Sequence, residues 1–177
     1  MQLAISVLGE KNDAFIAEML SAVSSCQCNI IDLRTSGLTR IASAYLMIEG
    51  SWNRIAKLEV LLESLKSQFN IQISFFRPEE TEKNKSQLEG VPYSLEIISM
   101  EKKDLLFAIS SFLVERGICI EEIHASRYQA LFFNNTVFSS KFVLLVPPEV
   151  RILSLREEFL DFCDSINIDA ILEPIKR

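Results

Sequence analysis

Apolar residues recur along the chain with two different spacings, and this pattern predicts an order of strands and helices. The chain opens with a strand-like run from Leu3 to Leu8, and a short polar turn follows it. Beyond the turn, apolar residues such as Phe15 and Met19 recur every three or four positions, as on one face of a helix. Asn12 or Asp13 is placed to cap that helix.

Two further strands, a second helix and a closing strand complete the first half. Apolar and β-branched residues within 28–40 and from Ile41 to Ile48 predict two strands, and Gly37 is predicted to mark a bend. Ser51 is a candidate cap for the second helix. One apolar stripe runs along this helix, formed by Ile55, Leu58, Leu62, Leu65 and Phe69. Residues 71–76 are predicted to form a final strand. The predicted order of elements in the first half is therefore β-α-β-β-α-β.

The same order returns in the second half, which indicates an internal duplication. Strands are predicted at 93–98, 118–125, 138–146 and 168–172, with helices between Asp104 and Gly117 and after the prolines at 147–148. Ser99 follows Gly9 by 90 positions, and Cys119 follows Asn29 by the same interval. Residues 79–90 are polar and predict a linker. The predicted domains are therefore 1–78 and 91–177.

Each copy has the length of a ferredoxin-like α+β domain, in which two helices cover one face of a four-stranded antiparallel sheet. Such a sheet leaves one face and its edge strands uncovered, and these surfaces must be paired, charged or bound to a partner. This requirement favours a homodimer over a monomer.

The composition of the 177 residues narrows the functional classes. With 49% hydrophobic residues the chain can bury a core, and a net charge of −6 argues against direct nucleic-acid binding. The acidity is uneven, because residues 89–177 hold 14 acidic and 9 basic side chains. This half is expected to meet a basic partner or simply to confer solubility.

The expected location is the cytoplasm, without membrane insertion. No apolar run reaches the roughly 18 residues that a membrane-spanning helix needs, and the N-terminus lacks the basic region of a signal peptide. The four cysteines are interpreted as reduced thiols, as in cytoplasmic proteins.

Residues with catalytic potential are few. Cys26 and Cys28 could ligate a metal, but their spacing is not matched elsewhere in the chain, so small packing residues at a turn are the favoured interpretation. His124 has no adjacent nucleophile motif, and no glycine-rich phosphate loop is present. We therefore predict no enzyme activity, no cofactor and no metal site.

Trp52, at the start of the second predicted helix, has two interpretations. It could anchor a protein partner, because Trp is enriched at the energetic centres of interfaces. It could equally fold back onto its own helix as a hydrophobic staple.

Two segments carry a family resemblance that covers nearly the whole chain in its pattern of elements. The segment SSCQCNIIDLR, residues 24–34, together with EGSWNRI, residues 49–55, resembles the glycine cleavage system transcriptional repressor family, which has tandem ACT domains. The resemblance implies a cytoplasmic regulator that senses glycine or a similar amino acid. It further implies that the regulator acts by protein contact on a LysR-type transcriptional activator.

The resemblance also implies a ligand site at a domain–domain interface. Carried over by position, the loop after the first strand supplies Gly9, Asn12 and Asp13, and the entry to the second strand supplies Asn29 and Ile30. The family's loop commonly reads Gly-x-Asp-Arg-Pro-Gly, whereas residues 9–14 read Gly-Glu-Lys-Asn-Asp-Ala. This departure keeps open a second interpretation, a structural interaction module of tandem ACT domains that binds no ligand.

Overall fold

The computed structural model describes residues 1–38, 40–78, 90–100, 103–129 and 136–175. The chain divides into two compact units, 1–81 and 82–177. The predicted linker, apart from Gly90, and residues 130–135, between the strands predicted at 118–125 and 138–146, lie outside the described residues. Among the described helices, none is long and apolar enough to cross a membrane.

The first domain contains the six predicted elements in the predicted order. They are β1 (Gln2–Glu10), α1 (Asp13–Ser25), β2 (Asn29–Leu38), β3 (Ile41–Glu49), α2 (Trp52–Phe69) and β4 (Ile71–Phe76). The strands form an antiparallel sheet in the order β2-β3-β1-β4. Consequently β1 and β3 lie in the centre, and β2 and β4 form the edges.

The second domain repeats this arrangement. Its elements are β5 (Val91–Met100), α3 (Leu105–Glu115), β6 (Cys119–Gln129), β7 (Thr136–Val146), α4 (Ile152–Ile166) and β8 (Asp169–Pro174), with the sheet order β6-β7-β5-β8. Even an irregularity is duplicated, because β2 shifts register between Ile30 and Asp32, and β6 shifts between Ile120 and Glu122. The predicted tandem ferredoxin-like fold is confirmed.

Each domain has its own hydrophobic core between the sheet and its helices. In the first, Ile5 and Leu46 face each other across the central strands and are fully buried, as are Ile55, Leu58 and Leu62 of the α2 stripe. In the second, Leu95 and Phe142 take the corresponding places. Alternate residues of the strands belong to these cores, as the period of two in a half-buried strand requires.

The ends of the elements agree only partly with the sequence predictions. Asn12 caps α1, since its side-chain Oδ1 accepts a hydrogen bond from the Ala14 N–H at 3.0 Å. Ser51 and Asp104 occupy N-cap positions without a side-chain bond to the helix. Gly117 follows α3 with a φ of 70°, which suits glycine. The predicted bend at Gly37 is wrong, because β2 continues to Leu38 and Gly37 pairs with Ala42.

Candidate functional site

The loop between β1 and α1 lies beside the β2–β3 hairpin. The backbone N–H of Lys11 donates to the carbonyl oxygen of Arg40 at 2.9 Å. This bond brings two basic residues to the end of the sheet at which α1 begins, next to the acidic Glu10. The first turn of a helix has free N–H groups and a partial positive charge, which attract anions. At α1 the Asn12 side chain already accepts a hydrogen bond from one of these N–H groups, and the predicted site residue Asp13, the first residue of the helix, is acidic like Glu10.

Gly9 has a packing role that its place in the predicted ligand loop does not reveal. It pairs with Ala42 on one side and with Ile71 on the other. A Cβ atom at Gly9 would overlap Cγ2 of Ile71 and would lie 3.0 Å from the Ile71 Cα. The absence of a side chain therefore lets β4 approach β1 closely.

Asn29 and Ile30 lie at the opposite end of the same sheet. Asn29 and Gln2 both pair with Glu49, whereas Gly9 pairs with Ala42, seven residues further along the strands. Since a strand rises about 3.3 Å per residue, the two groups of predicted site residues are about 20 Å apart. The first domain by itself does not bring them together.

An exposed apolar surface surrounds the entry to β2. Ile30 and Ile31 are 43% and 50% exposed at the register shift, and Trp52, the first residue of α2, is 69% exposed. Arg54 ties α2 to the turn before β2, because its Nη1 donates to the carbonyl oxygen of Gln27 at 3.2 Å. The sequence analysis did not single out Ile31 or Arg54, although both lie within the two segments that carry the resemblance.

The exposure of Trp52 gives a first prediction. Trp52→Ala should change the free energy of unfolding by no more than about 0.5 kcal/mol, because little packing is lost at an exposed site. Ile55→Ala, at a fully buried position of the same helix, should cost about 2–5 kcal/mol. Urea unfolding measures both. A loss at Trp52 comparable to that at Ile55 would mean that the indole packs as a staple.

The thiols are packed rather than reactive. Cys26, Cys28 and Cys163 are buried, and Cys119 is half-buried. Burial raises the pKa of Cys163 to about 11, and Asp164 and Asp169 add to the shift. Burial also raises the pKa of Cys28. The thiols of Cys28 and Cys163 therefore stay protonated near neutral pH, which weakens them as nucleophiles. No group of three or more His, Cys, Asp or Glu residues in the described part of the chain could hold a metal ion.

The fold defines a class of protein, a tandem pair of domains with the ACT ferredoxin-like fold. Residues 1–76 match the family model of the ACT domain, so the first half has the sequence signature as well as the fold. The second half repeats the fold, with the equivalent strand order β6-β7-β5-β8.

Solved structures resemble the chain over its whole length. One, described as a "putative glycine cleavage system transcriptional repressor", has 22% identity and a TM-score of 0.77, with 99% of this chain and 98% of that chain covered. Another, described as an unknown protein from Galdieria sulphuraria, has 16% identity and a TM-score of 0.76, with the same coverage. No curated protein matches the sequence. At these identities the likeness establishes the fold, and it confirms the predicted resemblance at that level.

Proposed function

We propose that the chain is a non-enzymatic regulator that senses a small amino acid and acts through protein contact. The observation that carries this proposal is the ACT match over residues 1–76, within a tandem fold that resembles a repressor-like structure along its entire length. The proposal includes a cytoplasmic location, a homodimer, a LysR-type activator as the partner and no direct contact with nucleic acid.

The proposed ligand contacts come from the first domains of two copies of the chain. The carboxylate of glycine would lie at the N-terminus of α1, where Lys11 and Arg40 add positive charge to that of the helix. Asn29 and Ile30 cannot reach this point from within the first domain. They would contribute from the first domain of a second copy of the chain, so ligand binding and association of the two copies would be coupled.

The experiment is a calorimetric titration of the full chain with glycine and with serine, together with thermal melting. A ligand present at a hundred times its dissociation constant stabilises the folded chain by about 2.7 kcal/mol. Lys11→Gln and Asn29→Ala should each weaken binding. Lys57→Gln and Asn53→Ala, which remove similar groups from exposed positions on α2, should leave it unchanged.

The competing function is an interaction module that binds no amino acid. Two observations favour it: the altered residues 10–14, and the packing of Gly9 against Ile71, which explains this glycine without a ligand. If neither heat nor a melting shift is detected at millimolar amino acid, the sensing function is wrong and this second function stands.

A further inference from the structure

A groove of about 510 Å³ lies between α3 and α4 of the second domain. Phe112 and Phe162 form its apolar lining, and Glu115, Glu158 and Asp161 surround it together with Arg116. We refer to it as the α3–α4 groove. None of these residues belongs to the proposed amino-acid site.

The aromatic lining is specific to the second copy. Phe112 corresponds to Ala22, 90 positions earlier, and Phe162 corresponds to Leu65, 97 positions earlier. The two rings stack with their centroids 4.7 Å apart, and Phe159 lies 5.4 Å from Phe112. Larger side chains at the helix–helix contact therefore present ring surface where the first copy has small or aliphatic groups.

The groove already holds one guanidinium group. The Arg116 Cζ lies 3.6 Å from the centroid of the Phe112 ring, in the arrangement of a cation–π contact. Its Nε is 2.8 Å from a carboxylate oxygen of Glu158, and its Nη1 donates to the Phe112 carbonyl oxygen at 3.1 Å. An aromatic ring and a carboxylate thus bind the same arginine side chain.

The charge around the groove is not balanced by Arg116. The lining contains three carboxylates and one guanidinium. Glu115 and Asp161 are exposed, and within the described part of the chain neither forms an ion pair. The groove therefore combines aromatic surface with a net negative charge, in the half of the chain that carries most of the acidic excess.

We propose that the α3–α4 groove binds an arginine-containing basic segment of a partner protein. A guanidinium of that segment would lie against the half-buried ring of Phe162, which lines the groove, and Glu115 and Asp161 would accept its N–H groups. Arginine suits this site better than lysine because its planar group both stacks on rings and pairs with carboxylates. The proposal goes beyond amino-acid sensing, since it holds whether or not the first domain binds a ligand.

The test uses the full chain and a fluorescein-labelled hexa-arginine peptide, with hexa-lysine for comparison, followed by fluorescence anisotropy. Hexa-arginine should bind more tightly than hexa-lysine. The double variant Glu115→Gln/Asp161→Asn should weaken hexa-arginine binding about tenfold. The matched control Glu157→Gln/Asp164→Asn removes the same charge from exposed positions of α4 outside the groove, and should change the affinity less than about twofold.

A second variant tests the groove itself. Ser111 also lines it, and Ser111→Arg places a competing guanidinium inside it, so peptide binding should be lost while the melting temperature is kept. If the groove variant and the control variant weaken hexa-arginine binding equally, the binding is due to general charge attraction, and the proposal is overturned. Absence of peptide binding would also overturn it. Sedimentation of the Glu115→Gln/Asp161→Asn variant gives a further test. If this variant dissociates a dimer, the occupant of the groove is a second copy of the chain, and the proposal is also overturned.

Discussion

Phe142→Ala should destabilise the second domain by about 3–5 kcal/mol, the cost of removing a large buried ring and leaving a cavity. Phe142 is fully buried on β7, opposite Leu95 of the neighbouring central strand. Leu46 is the corresponding residue of the first domain, also fully buried, and Leu46→Ala should cost about 2–5 kcal/mol there. Calorimetry and hydrogen exchange, resolved by mass spectrometry along the chain, measure both losses.

The pattern of the two losses tests the proposed domain division of 1–78 and 91–177, joined by residues 79–90. Each substitution should accelerate exchange in its own domain and leave protection in the other domain nearly unchanged. Phe142→Leu is the control, since it retains most of the apolar volume and should cost clearly less than Phe142→Ala. Equal loss of protection in both halves after either substitution would show one cooperative unit instead of two domains.

Gly9→Ala should destabilise the first domain by about 1–3 kcal/mol, the range for forcing an extra carbon into a packed site. The new Cβ would overlap Cγ2 of Ile71 and meet its backbone at 3.0 Å, so β1 and β4 would have to separate. Rotation of the Ile71 side chain relieves only part of this clash. Urea unfolding of the full chain measures the loss.

Gly37→Ala is the matched control, because a Cβ at Gly37 meets no atom within 4 Å and its φ needs no glycine. This substitution should leave the free energy of unfolding unchanged, or raise it by up to about 1 kcal/mol, because alanine reduces the conformational entropy of the unfolded chain. If Gly9→Ala is as harmless as the control, the close approach of β4 does not explain this glycine. A ligand-contacting role for the backbone at Gly9 would then gain support.

The helices and strands could be predicted because their signals are local. The stripe of Ile55, Leu58 and Leu62 recurs within one helical face, and all three residues are buried in the first core. The bend predicted at Gly37 shows where this reasoning fails, since a glycine after the polar residues Thr35 and Ser36 indicates flexibility but not whether a partner strand is present. Pairing with Ala42 keeps this residue in the strand.

The candidate site was less accessible to prediction than the fold. The polar turn predicted either Asn12 or Asp13 as the cap of α1, and the hydrogen bond from the Ala14 N–H to Asn12 shows that it is Asn12. Nothing in the residues near Asn29 shows that the sheet places it at the end remote from Gly9, because this depends on the register of three strands. The contact between Arg116 and Glu158 likewise joins residues 42 positions apart.

The amino-acid sequence by itself determined the order of the elements, the buried faces of the helices and the duplication. Each of these follows from apolar residues spaced two to four positions apart, or from a repeat of that pattern. Only the tertiary structure decided that Gly9 contacts Ile71, that the proposed ligand residues lie at opposite ends of a sheet, and that two phenylalanines and an arginine form a groove. These features arise where distant segments meet, and the free energy of such contacts depends on strand register and packing, which short-range patterns do not specify.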